Sequence, residues 1–192
     1  LEEKGVAASQ RIAFPNWADI DSIAPLQSLS PYRKELAIPD TDVVALYSGN
    51  MGLKQGLELL AEVAHAIADL RQLHFVFGGQ GPGRELLEAR CAELANVHFL
   101  PLQPTKRLND WLGLADIHLL PQRADVADLV MPSKMTGMLA SGRPVLATAH
   151  ACTGVANALI SSGVSVPPGD VDAMVTALRA LAGDPRLRAT LG

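Results

Sequence analysis

Val43-Val-Ala-Leu-Tyr-Ser-Gly-Asn50 is a short apolar, β-rich run that stops at a turn of small residues, and the rest of the chain can be ordered from it. Residues 54 to 70 follow with Leu57, Leu60, Ala61, Ala64 and Ile67 on one helical face, so the unit is strand, turn, helix. The unit repeats. A strand is expected over Leu73 to Phe77, a glycine loop over Gly78 to Gly83, a helix from Arg84 to Leu94 and a strand from Val97 to Leu100. A helix over Thr105 to Leu114 leads to a strand over Asp116 to Leu120. A helix after Pro132, a strand over 144 to 148, a helix over 153 to 161, a strand over Val164 to Val166 and a helix over 170 to 182 complete the series. Short strands alternating with longer helices require parallel pairing and right-handed crossovers. The expected fold is therefore a doubly wound, Rossmann-like α/β domain: six parallel strands with helices on both faces. Residues 1–40 break this rhythm at Pro25, Pro31 and Pro39 and read as a linker from a preceding domain, leaving 41–192 as the folded unit.

The bulk composition restricts function more than it defines it. The 192 residues are 48% hydrophobic and 19% charged, which suits one buried core. A net charge of -4 and sixteen scattered basic residues argue against a nucleic-acid surface. Cys91 and Cys152 form neither a metal-ligand spacing nor a disulfide framework, which fits a cytoplasmic protein. No apolar run reaches the ~18 residues of a membrane span. The chain opens on Leu-Glu-Glu-Lys and closes on Thr190-Leu-Gly192, so it is expected to be part of a longer protein.

Pro132-Ser133-Lys134 carries the clearest chemistry. Proline and serine are N-terminal helix signals, and backbone N–H groups at such a start are free to meet an anion. Lys134 places a cation there, and the helix ends at Ser141-Gly142 before a buried strand. A plain cap beside a solvated lysine is the competing account. The turn at Gly49-Asn50 lets a ligand approach the backbone, with Lys54 close behind. Gly78-Gly-Gln-Gly-Pro-Gly83 has the strand-to-helix context of a dinucleotide fingerprint, with Gly79 and Gly81 at the first spacing, but Arg84 stands at the third glycine position and Pro82 removes an N–H. A tight turn before a helix accounts for it better than a nicotinamide cofactor. The five histidines (His65, His74, His98, His118, His150) are separated in sequence and suit packing roles, and Trp17 and Trp111 suit the core or a domain contact.

Several segments in series carry a resemblance to a known family: Phe14-Pro-Asn-Trp-Ala-Asp19, Tyr47-Ser-Gly-Asn-Met-Gly-Leu-Lys-Gln-Gly56, Phe77 to Gly83, Val97-His-Phe-Leu-Pro101, Ala115-Asp-Ile-His-Leu-Leu-Pro121, Pro132-Ser-Lys134, Ala140-Ser-Gly-Arg-Pro-Val145 and Gly183 to Gly192. In this order and spacing the chain resembles the C-terminal, donor-binding domain of GT-B glycosyltransferases of family 4, which are retaining enzymes that use nucleotide-diphosphate sugars. The resemblance implies that Gly49, Asn50, Lys54, Gly79, Pro132, Ser133 and Lys134 surround the diphosphate and donor sugar, and that Leu100 lies beside the base. It implies no metal and no cofactor, and an acceptor site and catalytic groups contributed by an N-terminal domain. The acceptor would be a saccharide or a lipid-linked sugar, and the whole enzyme would work in the cytoplasm or at the inner face of the bacterial membrane. Many members carry two glutamates with seven residues between them, the second holding the ribose; here those positions are Leu129 and Gly137, so either another group, Asp125 or Asp128, takes the ribose or nucleotide binding is weak. The Pro-Ser-Lys-x-Thr-Gly-Met-Leu-Ala-Ser-Gly-Arg pattern is most similar to the exopolysaccharide branch, the colanic acid glycosyltransferases assigned to fucosyl transfer, and implies a GDP-sugar donor with GDP-fucose first. A sugar-nucleotide epimerase and a non-catalytic nucleotide-binding module are the alternatives.

Overall fold

The computed structural model describes residues 5–10, 12, 16–52, 55–125 and 131–192. Lys54, Asp128 and Leu129 lie outside the described residues, as does part of the Phe14 to Asp19 segment. The sheet has six strands, β1 (Val43–Ser48), β2 (Leu73–Gly78), β3 (Val97–Leu100), β4 (Ile117–Leu120), β5 (Val145–Thr148) and β6 (Gly163–Val166), in the order β3-β2-β1-β4-β5-β6. Every neighbouring pair is parallel, with registers such as Tyr47 opposite Phe77 and Leu46 opposite His118. The doubly wound expectation therefore holds, with the strand order reversing between β1 and β4.

Alternation along the strands feeds both faces. Val43, Ala45 and Tyr47 join Leu73, Phe75 and Phe77 beneath α2 (Leu57–Ala66), α3 (Arg84–Arg90) and α7 (Val171–Gly183). Val44, Leu46 and Val76 face the other way, against Tyr32 of α1 (Tyr32–Glu35), Ile38, and Trp111 and Leu112 of α4 (Leu108–Leu112). Beyond them Leu120, Val145 and Ala147 meet Met135 and Met138 of α5 (Lys134–Ala140) and Val155 of α6 (Gly154–Ala158).

Several helices are shorter than their periodicity predicts. Gly56 stands at φ +69° immediately before α2, a left-handed residue that fixes the helix start at Leu57. Residues 105–107 form a separate 3₁₀ turn before α4. A last helix, α8 (Pro185–Leu191), follows α7 directly: the Asp184 carboxylate accepts from the Arg186 and Leu187 amides at 2.8 and 3.0 Å, so one aspartate ends one helix and starts the next. At the start of α5 the expected serine cap is absent. Ser133 is already helical (φ −59°, ψ −30°) and its side chain makes no cap hydrogen bond, because the chain enters the turn from Pro132, whose carbonyl accepts from the Met135 amide at 3.1 Å.

The residues before β1 pack onto the domain. Ile23, Tyr32 and Ile38 are buried, and Arg33 is buried with its charge satisfied. Its guanidinium donates to Asp116 Oδ2 at 2.5 Å and to the carbonyls of Pro39 and Asp42 at 2.9 and 3.0 Å. Asp116 Oδ2 also accepts from the Val44 amide at 2.8 Å. This ion pair joins the leading helix to the amino ends of the two central strands.

Candidate functional site

Ligands of doubly wound sheets lie outside the carboxyl ends of the strands at the switch in strand order. The loop after β1 and the start of α5 meet at that point. Gly49 has φ +136°, which glycine adopts without strain, and the Lys134 side chain lies across it: a Cβ on Gly49 would stand 3.4 Å from Lys134 Cδ and 3.7 Å from Nζ. The ammonium rests 4.2 Å from the centroid of the Tyr47 ring. Tyr47 is fully buried and held from below, its hydroxyl donating to the Asn50 carbonyl at 2.6 Å. Among the described residues Lys134 has no ion-pair or hydrogen-bond partner. Burial accordingly lowers its pKa from 10.5 to about 8. A withdrawn ammonium resting on an aromatic face retains its capacity to donate to an anion.

A cleft of about 300 Å³ opens beside this lysine. One wall is Ser133, Lys134, Thr136, Gly137 and Met138; the floor is Leu108, Leu112 and Ile23; the third side is Trp17, Ala18 and Asp19, with Ser48 and Gly49 at the sheet end. The residues before the folded unit thus form part of the cleft. They are tied across it: Asn16 Nδ2 donates to the Met131 carbonyl at 3.1 Å, Thr136 Oγ1 to the Trp17 carbonyl at 3.2 Å, and the Ala24 amide to Asn109 Oδ1 at 2.9 Å. Trp111 is in the core, its indole N–H donating to Ser48 Oγ at 2.8 Å, while Trp17 is 73% exposed at the mouth of the cleft.

The structure sorts the residues read from the sequence. Gly49, Ser133 and Lys134 line this one cleft. Asn50 is exposed beside Gly49, with its side-chain oxygen over Gly81, and Pro132 immediately precedes Ser133. Gly79 and its neighbours hold the β1 loop: the Met51 amide donates to the Gln80 carbonyl at 2.7 Å and the Gly83 amide to the Met51 carbonyl at 2.8 Å. Gly79 stands at φ +146°, and a Cβ there would overlap the Gly49 carbonyl oxygen. The carbonyl of Leu100, at the end of β3, accepts from the Gly79 amide at 3.2 Å and from Arg84 Nη1 at 2.8 Å. Asp125 lies elsewhere, in an open groove of about 520 Å³ lined by Glu58, Glu62, Gln122, Arg123 and Pro168, where it pairs with Arg123 at 2.9 Å. The histidines are not all separate in space. His74 Nδ1 and His98 Nε2 are 3.0 Å apart, and His74 Nε2 is 3.0 Å from Asp42 Oδ2, at the amino ends of the strands and away from the cleft. Burial, then the His74 charge, lowers the His98 pKa. His118 is wholly buried against Ser141 Oγ at 2.9 Å, and burial, with Arg143 nearby, lowers its pKa to about 3. Among the described residues no group of three or more His, Cys, Asp or Glu side chains is placed to hold a metal ion, and no helix is long and apolar enough to cross a membrane.

Known proteins share both sequence and fold with this chain. WcaI of Escherichia coli (strain K12), named for colanic acid biosynthesis glycosyl transfer, is 39% identical over 184 residues, which cover 92% of this chain and 45% of WcaI. The chain therefore spans less than half the length of that relative. HepE of Anabaena, solved in complex with UDP and glucose, superposes with a TM-score of 0.79 at 18% identity, over 99% of this chain and 52% of HepE. The C-terminal domain of LpcC, a glycosyl transferase group 1 family protein of Francisella tularensis, superposes with a TM-score of 0.72 at 18% identity, over 91% of this chain and 92% of that one. The family model of glycosyl transferases group 1 matches residues 42–184, and the chain, a Rossmann-like domain of the GT-B kind, belongs to that family.

Proposed function

We propose that this chain is the donor-binding half of a retaining glycosyltransferase that moves a sugar from a nucleotide-diphosphate donor to a saccharide or lipid-linked acceptor in exopolysaccharide assembly. The observation that carries the reading is Lys134: an ammonium withdrawn from water, unpaired among the described residues, lying across Gly49 at the sheet's switch point. In the transfer, the bond from the anomeric carbon to the donor's β-phosphate oxygen breaks and a bond to the acceptor hydroxyl oxygen forms on the same face, the acceptor's proton passing to the leaving diphosphate. Charge then develops on the leaving diphosphate, which a preorganised cation stabilises without reorganisation of solvent. Lys134 takes that part, with Gly49, Asn50 and Ser133 around the diphosphate and donor sugar, Leu100 towards the base, and Gly79 and Pro132 at its margins; Lys54 and Asp128 are assigned to donor binding on the resemblance alone. No metal enters this scheme. The groups that receive the acceptor belong to the half of the protein that the chain does not span, and the whole enzyme acts in the cytoplasm or at the inner membrane face.

The name of WcaI supports the exopolysaccharide setting. A GDP-sugar, GDP-fucose first, is assigned on resemblance to that branch; UDP is the nucleotide found with HepE. Calorimetric titration of GDP, UDP and ADP into the wild type and Lys134→Ala tests the reading. One nucleotide should bind in preference, and the variant should lose about 1–3 kcal/mol of that binding, the range for a charge-assisted contact, while remaining folded. Equal affinity in the two proteins would refute it.

A further inference from the structure

The cleft beside Lys134 carries two formal charges among its described lining residues. Lys134 is its cation and Asp19 its carboxylate, and no ion pair joins them. Asp19 is held in place from several sides. Its main-chain carbonyl accepts from the amides of Ser22 and Ile23 at 3.2 and 2.9 Å, and Ile23 is anchored in the core. Its carboxylate Oδ1 accepts from the amides of Asp21 and Ser22 at 3.1 and 3.3 Å, and Oδ2 accepts from the Ser22 hydroxyl at 2.7 Å. The Ser22 hydroxyl first, and the two amides, hold the carboxyl below its ordinary pKa, so it is ionised at neutral pH. A carboxylate oxygen has room for two hydrogen bonds, and Oδ2 has one in use. Of the hydroxyls on this side, Ser48 Oγ accepts from Trp111, and Thr136 Oγ1 is turned to the carbonyls of Trp17 and Ser133, so Asp19 is the acceptor that brings a negative charge.

Apart from these groups and the Ser133 hydroxyl, the cleft is lined by apolar side chains. Leu108, Leu112, Ile23 and Met138 form its floor and side, the Trp17 ring stands at its mouth, and Gly137 contributes no side chain. Such a lining suits a ribose better than a pyranose bearing hydroxyls on every side. We propose that Asp19 binds the ribose hydroxyls of the nucleotide, its free Oδ2 lone pair accepting from the ribose while Lys134 takes the diphosphate. This rests on the reading of the cleft as a nucleotide-diphosphate site. It also gives the ribose a carboxylate partner on the segment before the sheet, where α5 presents only Gly137.

The test is the affinity of the wild type, Asp19→Asn and Ser22→Ala for GDP and UDP and for their 2′,3′-dideoxy counterparts. Asparagine keeps an oxygen for the two backbone amides and removes the charge and the second acceptor. The wild type should prefer the ribose form of its nucleotide about tenfold, as expected for a hydrogen bond to a charged group. Asp19→Asn should lose that preference while binding the dideoxy form within about twofold of the wild type. Ser22→Ala, which perturbs the turn and keeps the carboxylate, should retain it. If Asp19→Asn weakens both forms equally, or neither, Asp19 is only a turn residue and the proposal fails while the nucleotide site stands. If the wild type binds none of the four nucleotides, the site reading fails and the proposal with it.

Discussion

Replacing Lys134 with methionine removes a buried charge and keeps most of the volume, so it isolates the electrostatics of the cleft. In the folded protein burial lowers the lysine pKa from 10.5 to about 8. With the folded value below the unfolded one, the unfolded chain binds more protons between those limits, and stability must rise as pH climbs through the window. Below the folded pKa both states carry the proton, and the whole penalty of burying the charge is present, about 3 kcal/mol for a shift of this size. Between about pH 7.5 and 9.5 the linkage amounts to about 2 kcal/mol. The contact with the Tyr47 ring, worth about 0.5–2 kcal/mol, favours the charged form, so it opposes the burial penalty and narrows the window from its lower edge. The assay is urea unfolding of the wild type and Lys134→Met across this range, read as the difference between them so that groups common to both cancel. Methionine should be the more stable variant at the lower pH, and the gap should close by about 2 kcal/mol at the higher. A gap that does not change with pH would refute the assignment of an unpaired, desolvated ammonium at this position.

Other perturbations separate the supports of the fold. Gly79→Ala combines positive φ with overlap on the Gly49 carbonyl and should cost more than about 1–3 kcal/mol, the usual strain of one such residue, visible as a lowered melting temperature. Arg33→Ala should destabilise by about 3–5 kcal/mol in chemical denaturation, because it strands the Asp116 carboxylate, whereas Arg33→Met with Asp116→Leu should recover part of that loss. His118, whose pKa falls from an ordinary 6.5 to about 3 on folding, remains neutral while the unfolded chain takes up its proton. Its share of stability is therefore lost as pH falls from about 6.5 towards 3, and His118→Leu should flatten the acid limb of the stability curve by up to about 1.4 kcal/mol per pH unit. Thr153→Ala removes the hydroxyl that accepts from the Ala156 amide at 3.1 Å and should cost about 1 kcal/mol by thermal melting.

The sheet was legible because its central strands are buried on both faces and therefore read as short unbroken apolar runs, as in Val43 to Tyr47, while the edge strands β3 and β6 are only partly buried. Helix ends were less so. Gly56 cuts the helical pattern of residues 54 to 70 short at its amino side, a conformational choice that periodicity does not encode. In the cleft, Gly49 and Lys134 stood out because a small-residue turn and a cation after proline are local signals. The Tyr47 ring under the ammonium did not, since it joins a strand to a helix start far along the chain. The leading segment read as a linker for the same reason: what holds it are pairs such as Asn16 with Met131 and Ala24 with Asn109, separated by 115 and 85 residues. Within that segment the spacing of Asp19 and Ser22 was the available clue, a side-chain-to-backbone turn rather than an extended tether.

The two glycine turns at the carboxyl ends of β1 and β2 are joined by main-chain hydrogen bonds in both directions, through the amides of Gly49, Met51 and Gly83. Opening one loop therefore means breaking the other, and their amides should exchange with solvent water as one cooperative unit rather than as two frayed tips. A ligand arriving at Gly49 meets a surface already ordered in the empty protein. Its association is spared the entropy of arranging a loop, so changes that loosen the brace should slow capture while leaving every contacting side chain in place.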